Sequence, residues 1–305
     1  MRKLSLILIT LLAVLFSACG ATQPANSSTT TPDVPTVLAT TSFLADLAQN
    51  VAGDRLQVGI LIPLGVDPHE YEPTPQDVAK LSNSQVLIVN GINYEFWLQK
   101  TLNGVGGNRQ IITATTGMTP LSDPSGTEAA GDPHMWLDVS KAVNYVKNIR
   151  DGLIQADPVG KDIYTQNADT YIAKLNALDQ WIKDQVSQIP ADKRLLVTNH
   201  DSLGYFSQAY GFTVVGAVIP SVTTDASPSA QQMANLIQVI KSSGAPAIFV
   251  ETGVNTALAD QIGTEANVKV ITNLYLETLS VPNGPAPDYI DMMKYDVTQI
   301  VNALK

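Results

Sequence analysis

Lys161-Asp162-Ile163-Tyr164-Thr165-Gln166-Asn167-Ala168-Asp169-Thr170-Tyr171-Ile172-Ala173-Lys174-Leu175-Asn176-Ala177-Leu178-Asp179-Gln180-Trp181-Ile182 reads as one uninterrupted helix that divides the chain. Tyr164, Ala168, Tyr171, Leu175, Leu178 and Ile182 recur at spacings of four and three, which aligns them as a single apolar seam. Asp157-Pro158 breaks the helix before it, and Ile189-Pro190 ends it. About 32 residues in this state would reach roughly 48 Å, long for a helix inside one compact lobe. The segment is therefore either an ordinary packed surface helix or a rigid spine between two lobes.

On its N-terminal side, β-rich runs alternate with helical patterns. Val37–Thr40 reads as a strand, Ser42 as the cap of a helix with Phe43, Leu44, Leu47, Ala48 and Val51 on one face, and Leu56–Ile62 as an alternating strand. Thr74-Pro75 opens a helix, Val86–Val89 is a buried strand, Tyr94–Leu102 a helix and Gln110–Ile112 a strand. A Thr, Ser, Gly and Pro-rich loop from Thr113 to Pro133 precedes a helix that Asp138 or Ser140 can cap. Beyond the spine the pattern repeats: strands over Leu195–Thr198, Val214–Val218, Ala247–Val250 and Val268–Thr272, a helix capped at Ser227-Pro228, and a closing helix from Pro287. Such alternation predicts an α/β fold with parallel sheets covered on both faces. About 270 residues suffice for two (β/α) lobes. The expected divisions are residues 36–157, a connector over 158–190, and 191–305.

The chain holds three histidines. Two stand in a repeated tripeptide, Asp67-Pro68-His69 and Asp132-Pro133-His134, and the third in Val197-Thr198-Asn199-His200-Asp201 at the end of a strand. One such histidine needs no explanation beyond a proline-fixed turn. Three at turn-like positions, exhausting the chain's supply, predict a single metal site drawn from separated segments. Ligands of open parallel sheets lie beyond the carboxyl ends of the strands, where His69, His200, Glu251 and Glu277 fall and where the long loop delivers His134. The metal is thus expected in the cleft between the lobes, with either Glu277 or Glu251 as its carboxylate ligand.

Residues 1–19 read as an export leader, with Arg2-Lys3, an apolar run over Leu4–Phe16, and Ser17-Ala18-Cys19 at the exit. The run is too short to span a bilayer permanently. Cys19, the only cysteine, resembles a bacterial lipobox thiol that would carry lipid, although Phe16 stands where such boxes usually have Leu. Residues 20–35 read as a flexible tether. Without the leader's two bases, 16 bases face 28 acids, a formal charge of −12. That balance argues against nucleic acid and against basic docking on an anionic membrane surface.

Val66-Asp67-Pro68-His69-Glu70-Tyr71-Glu72-Pro73-Thr74, Asp132–Asp138, Thr198-Asn199-His200-Asp201 with Tyr205-Phe206, Ile248–Thr252 and Tyr289–Tyr295 together resemble the zinc and manganese solute-binding proteins of bacterial ABC importers, the group containing TroA, ZnuA and PsaA. The resemblance covers Thr36 to Leu304. It implies two lobes joined by one rigid helix, with His69, His134 and His200 as ligands. It places Glu277, in Leu274-Tyr275-Leu276-Glu277-Thr278-Leu279, where members usually present Asp. Glu251 and Asp138 are then read as supporting carboxylates. The long loop lacks the histidines that many zinc members carry there. The implied cargo is zinc, with manganese the alternative. The implied partners are a permease and its ATPase subunit, and the expected protein is a monomer held outside the cytoplasm by a lipid anchor. A secreted zinc metalloenzyme, with Glu277 as general base, and a metal-stapled surface adhesin are the rival readings.

Overall fold

In the first sheet of the computed structural model, successive strand residues point to opposite faces, and both faces are covered. The structure describes residues 34–126 and 128–305; the leader, Cys19 and the tether up to residue 33 lie outside them. The elements of the first half are β1 (Val37–Ala39), α1 (Ser42–Ala52), β2 (Val58–Ile60), α2 (Pro75–Asn83), β3 (Val86–Val89), α3 (Leu98–Val105), β4 (Gln110–Thr113) and α4 (Val139–Ala156). Val37 and Ala39 of β1 and Val86 and Ile88 of β3 join the core under α1 and α4, while Leu38, Leu87 and Val89 face Leu81 of α2 and Leu98 of α3. Near-continuous apolar strands of this kind are what a two-sided parallel sheet requires.

After α5 (Lys161–Val186) come β5 (Leu195–His200), α6 (Gly204–Tyr210), β6 (Thr213–Ile219), α7 (Ala230–Ser243), β7 (Ala247–Glu251), α8 (Ala257–Ala266), β8 (Lys269–Leu274) and α9 (Tyr289–Leu304). The sheets run β2-β1-β3-β4 and β6-β5-β7-β8, parallel at each pairing, so the same winding occurs twice. Ala247 and Phe249 face the α9 side, and Ile248 and Val250 face α7 and α8.

Helix α5 joins the two lobes. Its buried residues are the six of the predicted seam plus Val186. Its 26 residues span roughly 39 Å, less than the sequence suggests, because the chain leaves the helix at Ser187, ahead of Pro190. The seam packs on α1, α4, α6 and α9. Tyr171 Oη bonds Asp46 of α1, and Tyr210 Oη of α6 bonds Asp179. One continuous core therefore runs from Phe43 through the α5 seam to Phe249 and Val297. Hinging the lobes would break that core, so scattering curves of metal-free and metal-loaded protein are expected to nearly superimpose. A marked compaction on loading would show that the lobes hinge.

Several helix starts differ from the sequence expectation. Residues 91–97 turn before α3 begins, with Gly91, Ile92 and Asn93 at positive φ and the Glu95 carboxylate accepting from Asn90 N and Gly91 N. Ser42 is not the cap of α1: Thr41 holds that position, and Ser42 Oγ instead accepts from Leu279 N in the other half of the chain. Helix α7 is capped by Ser229, whose hydroxyl accepts from Gln232 N while the Gln232 side chain accepts from Ser229 N. Asp288, one residue beyond the expected start, caps α9. Among the described residues, no helix is long and apolar enough to cross a membrane.

Candidate metal centre

The carboxyl ends of both sheets face one point. His200 is the last residue of β5, and Glu277 follows β8 by three residues. His69 follows β2 in a loop whose first residues, Leu61 and Ile62, still bond to Ala39 O at the end of β1 and to Thr40 O just beyond it. His134 ends the long loop after β4 and precedes a short 3-10 turn, Met135–Leu137. In each Asp-Pro-His tripeptide the Asp Oδ1 accepts from the His backbone N–H, Asp67 from His69 and Asp132 from His134. The repeated words thus encode the same turn twice, each presenting an imidazole.

His69, His134, His200 and Glu277 are 1, 0, 0 and 5 % exposed, and one donor atom from each lies within 4.8 Å of the others. Glu277 Oε1 is 3.1 Å from His69 Nε2, 2.9 Å from His134 Nε2 and 3.3 Å from His200 Nε2. The Nε2 atoms of His134 and His200 are 3.3 Å apart. Bonds of 2.0–2.1 Å to a tetrahedral zinc would place donor atoms about 3.4 Å apart, close to this spacing.

Tautomers follow from the partners on the far side of the rings. His134 Nδ1 lies 2.8 Å from Asp132 Oδ1, and His200 Nδ1 lies 2.7 Å from Glu251 Oε1. An ionised carboxylate only accepts, so each Nδ1 carries a proton and, in the neutral ring, each Nε2 presents a lone pair inward. Two such lone pairs and a carboxylate oxygen meeting in a buried space repel one another unless a cation stands between them.

Charge in the site follows the same logic. Burial alone would lower His200, but the Glu251 and Glu277 carboxylates outweigh it and hold the imidazole well above the ordinary histidine range. Against the same opposition from burial, Asp132 and Glu277 raise His134. Burial would raise Glu277, yet His69, His200 and His134 hold its carboxyl well below the usual range. In the absence of metal, the same carboxylates favour protons on His134 and His200.

Glu251 lies on the outer side of His200, where Oε1 also accepts from Asn199 Nδ2 at 3.1 Å. Asp138 is elsewhere, capping α4 by accepting from Ser140 N. The carboxylate that orients His134 is Asp132, to which sequence reading assigned no role. The Glu277 loop is held residue by residue: Tyr275 N donates to Asp296, Trp136 Nε1 donates to Leu276 O, and Leu279 N donates to Ser42. A Trp two residues after a histidine was the one visible signal of this scaffold.

Two parallel α/β lobes, a connecting helix and a buried set of three imidazoles and one carboxylate define a substrate-binding protein of the metal-importer class. The chain belongs to the ZnuA family, zinc-uptake complex component A periplasmic, which matches residues 37–303. It is 34% identical over 299 residues to the manganese-binding lipoprotein MntA of Halalkalibacterium halodurans, covering 97% of this chain and 96% of that one. It is 33% identical over 311 residues to the iron ABC transporter substrate-binding lipoprotein MtsA of Streptococcus pyogenes, covering 99% of each. The periplasmic zinc-binding protein TroA from Treponema pallidum superposes with a TM-score of 0.81 at 28% identity, over 89% of this chain and 99% of that structure.

Proposed function

We propose that this protein captures a divalent transition metal outside the cytoplasm through His69, His134, His200 and Glu277 and delivers it to an ABC permease driven by its ATPase subunit. The observation that carries this reading is the convergence of three buried Nε2 atoms on Glu277 Oε1. In it, residues 36–157 and 191–305 are the two metal-binding lobes and 158–190 the connector. Cys19 carries a lipid that tethers the monomer to the membrane, as befits relatives named lipoproteins.

Catalytic zinc keeps one coordination position for water and needs a base beside it. Here a carboxylate oxygen within 3.3 Å of all three imidazole nitrogens occupies that position, which favours capture over hydrolysis. Three nitrogens and one carboxylate suit zinc, whereas manganese prefers more oxygen and stands lower in the Irving–Williams order. The relatives' names include manganese, iron and zinc, so the cargo is argued from the donors. Metal content after expression without added metal, followed by competition of zinc against manganese on stripped protein, tests the reading. Zinc is expected to displace manganese. Manganese binding as tightly as zinc would overturn the preference, and binding of neither would overturn the site.

A further inference from the structure

His69 differs from the other two imidazoles in what stands behind it. His134 Nδ1 has Asp132 and His200 Nδ1 has Glu251, but His69 Nδ1 is buried without a hydrogen-bond partner among the described residues. A metal-binding imidazole is ordinarily fixed by a partner on its second nitrogen. Apart from its Nε2 contact with Glu277, the His69 ring rests edge-on against Tyr94, centroids 5.1 Å apart, and its backbone N–H is held by Asp67. That backbone is tied across the cleft. Asp67 Oδ1 holds His69 N at 2.8 Å, and Asp67 Oδ2 accepts from Thr224 Oγ1 at 2.7 Å. Thr224, 7 % exposed, lies between β6 and α7 in the second lobe.

Two more contacts join the same loop to the second lobe. Gly65 N donates to Thr278 Oγ1 at 3.1 Å. Gly253, at φ +91°, lies so close to the loop that an added Cβ would meet Gly65 O at 2.6 Å. Beside these ties the loop has room: cavities of about 810 Å³ and 440 Å³ adjoin it, and Glu70 lines both. Within its own lobe the loop is tied by Trp97 Nε1, which donates to Pro68 O, and by Tyr71 packed edge-on against Trp97. Freeing His69 breaks no carboxylate bond behind its ring, whereas moving His134 or His200 does.

We propose that Thr224, through Asp67, is a release latch: while its hydroxyl holds Asp67 the His69 loop is shut, and when that bond opens His69 is the first ligand to leave the metal. Thr224 is a positioning residue, since it acts on the ion only through Asp67 and His69. The inference rests on the metal-capture reading above.

The test is the dissociation rate of zinc from the full chain, followed by stopped flow into excess chromophoric chelator. Thr224→Val keeps the shape of the side chain and removes the donor. It is expected to raise the dissociation rate by roughly 10-fold, at the lower end of what loss of an orienting partner costs, with the association rate unchanged. Thr224→Ser should restore the parent rate. Gly253→Ala, which pushes on Gly65 O from the same side, should also speed release. If Thr224→Val releases zinc within twofold of the parent, or if Thr224→Ser is as fast as Thr224→Val, the latch is wrong while the site stands. If the parent itself binds no zinc, the capture reading fails and the latch with it.

Discussion

Glu277→Ala is expected to weaken zinc binding by more than 100-fold, His134→Ala and His200→Ala by at least as much, and Glu251→Ala by on the order of 10-fold to 100-fold. The ranking comes from position. Glu277 Oε1 is within hydrogen-bonding distance of three imidazole nitrogens, so its removal deletes the carboxylate that, among the described residues, groups with the three histidines. Glu251 meets the opposite nitrogen of His200, so its loss frees the ring to turn and strands a buried N–H. Competition titrations on purified variants, each first checked for folding by circular dichroism, give the order. If Glu277→Ala binds like the parent while Glu251→Ala fails, the carboxylate ligand is Glu251 and the inward geometry has been misread.

The lobes and the spine were legible because their determinants are local. The seam of α5 is a period, the strands are short apolar runs, and Thr74 and Asp138 act as the caps that their neighbours predict. Helices α6 and α8 escaped because each is short: Gly204–Tyr210 and Ala257–Ala266 offer two or three turns and little periodicity. The histidines stood out by scarcity. Their partners did not, since whether Glu251 or Glu277 faces inward depends on how β7 and β8 lie against β5, and nothing in either strand's own sequence records it. Ser42 shows the same limit. As a local signal it reads as a cap, yet its hydroxyl serves Leu279, 237 positions away. Asp67 and Thr224 are 157 positions apart, and only the folded chain makes them neighbours.

Acid should strip the metal steeply. Coordination needs a lone pair on each Nε2, so every proton held on an Nε2 of the metal-free protein must leave when the ion binds, while the Nδ1 protons of His134 and His200 stay, facing their carboxylates. Asp132, Glu251 and Glu277 raise His134 and His200 above the ordinary histidine range, so protons compete with the ion at both rings to higher pH than at a free imidazole. Their Nε2 atoms are 3.3 Å apart, which makes a second proton harder to hold than the first. Zinc affinity should therefore fall with acid by about 10-fold per pH unit for each proton that the ion displaces. The metal-free protein should show the opposite trend in stability. A histidine raised above its unfolded value of about 6.5 contributes stability that is complete below that pH and is lost as pH rises through the raised value. Glu277, lowered, contributes stability above its unfolded value of about 4.3 and loses it only as pH falls through the depressed one. The metal-free melting temperature is thus expected to decline from pH 6.5 upward, while affinity for zinc climbs over the same range. Titrations between pH 5 and 8, corrected for the chelator's own protons, and melting curves of stripped protein in the same buffers measure the two trends. A flat affinity profile would remove the imidazoles from the site, and a metal-free protein that gains stability as pH rises from 6.5 to 8 would show that protons do not hold the cation's place.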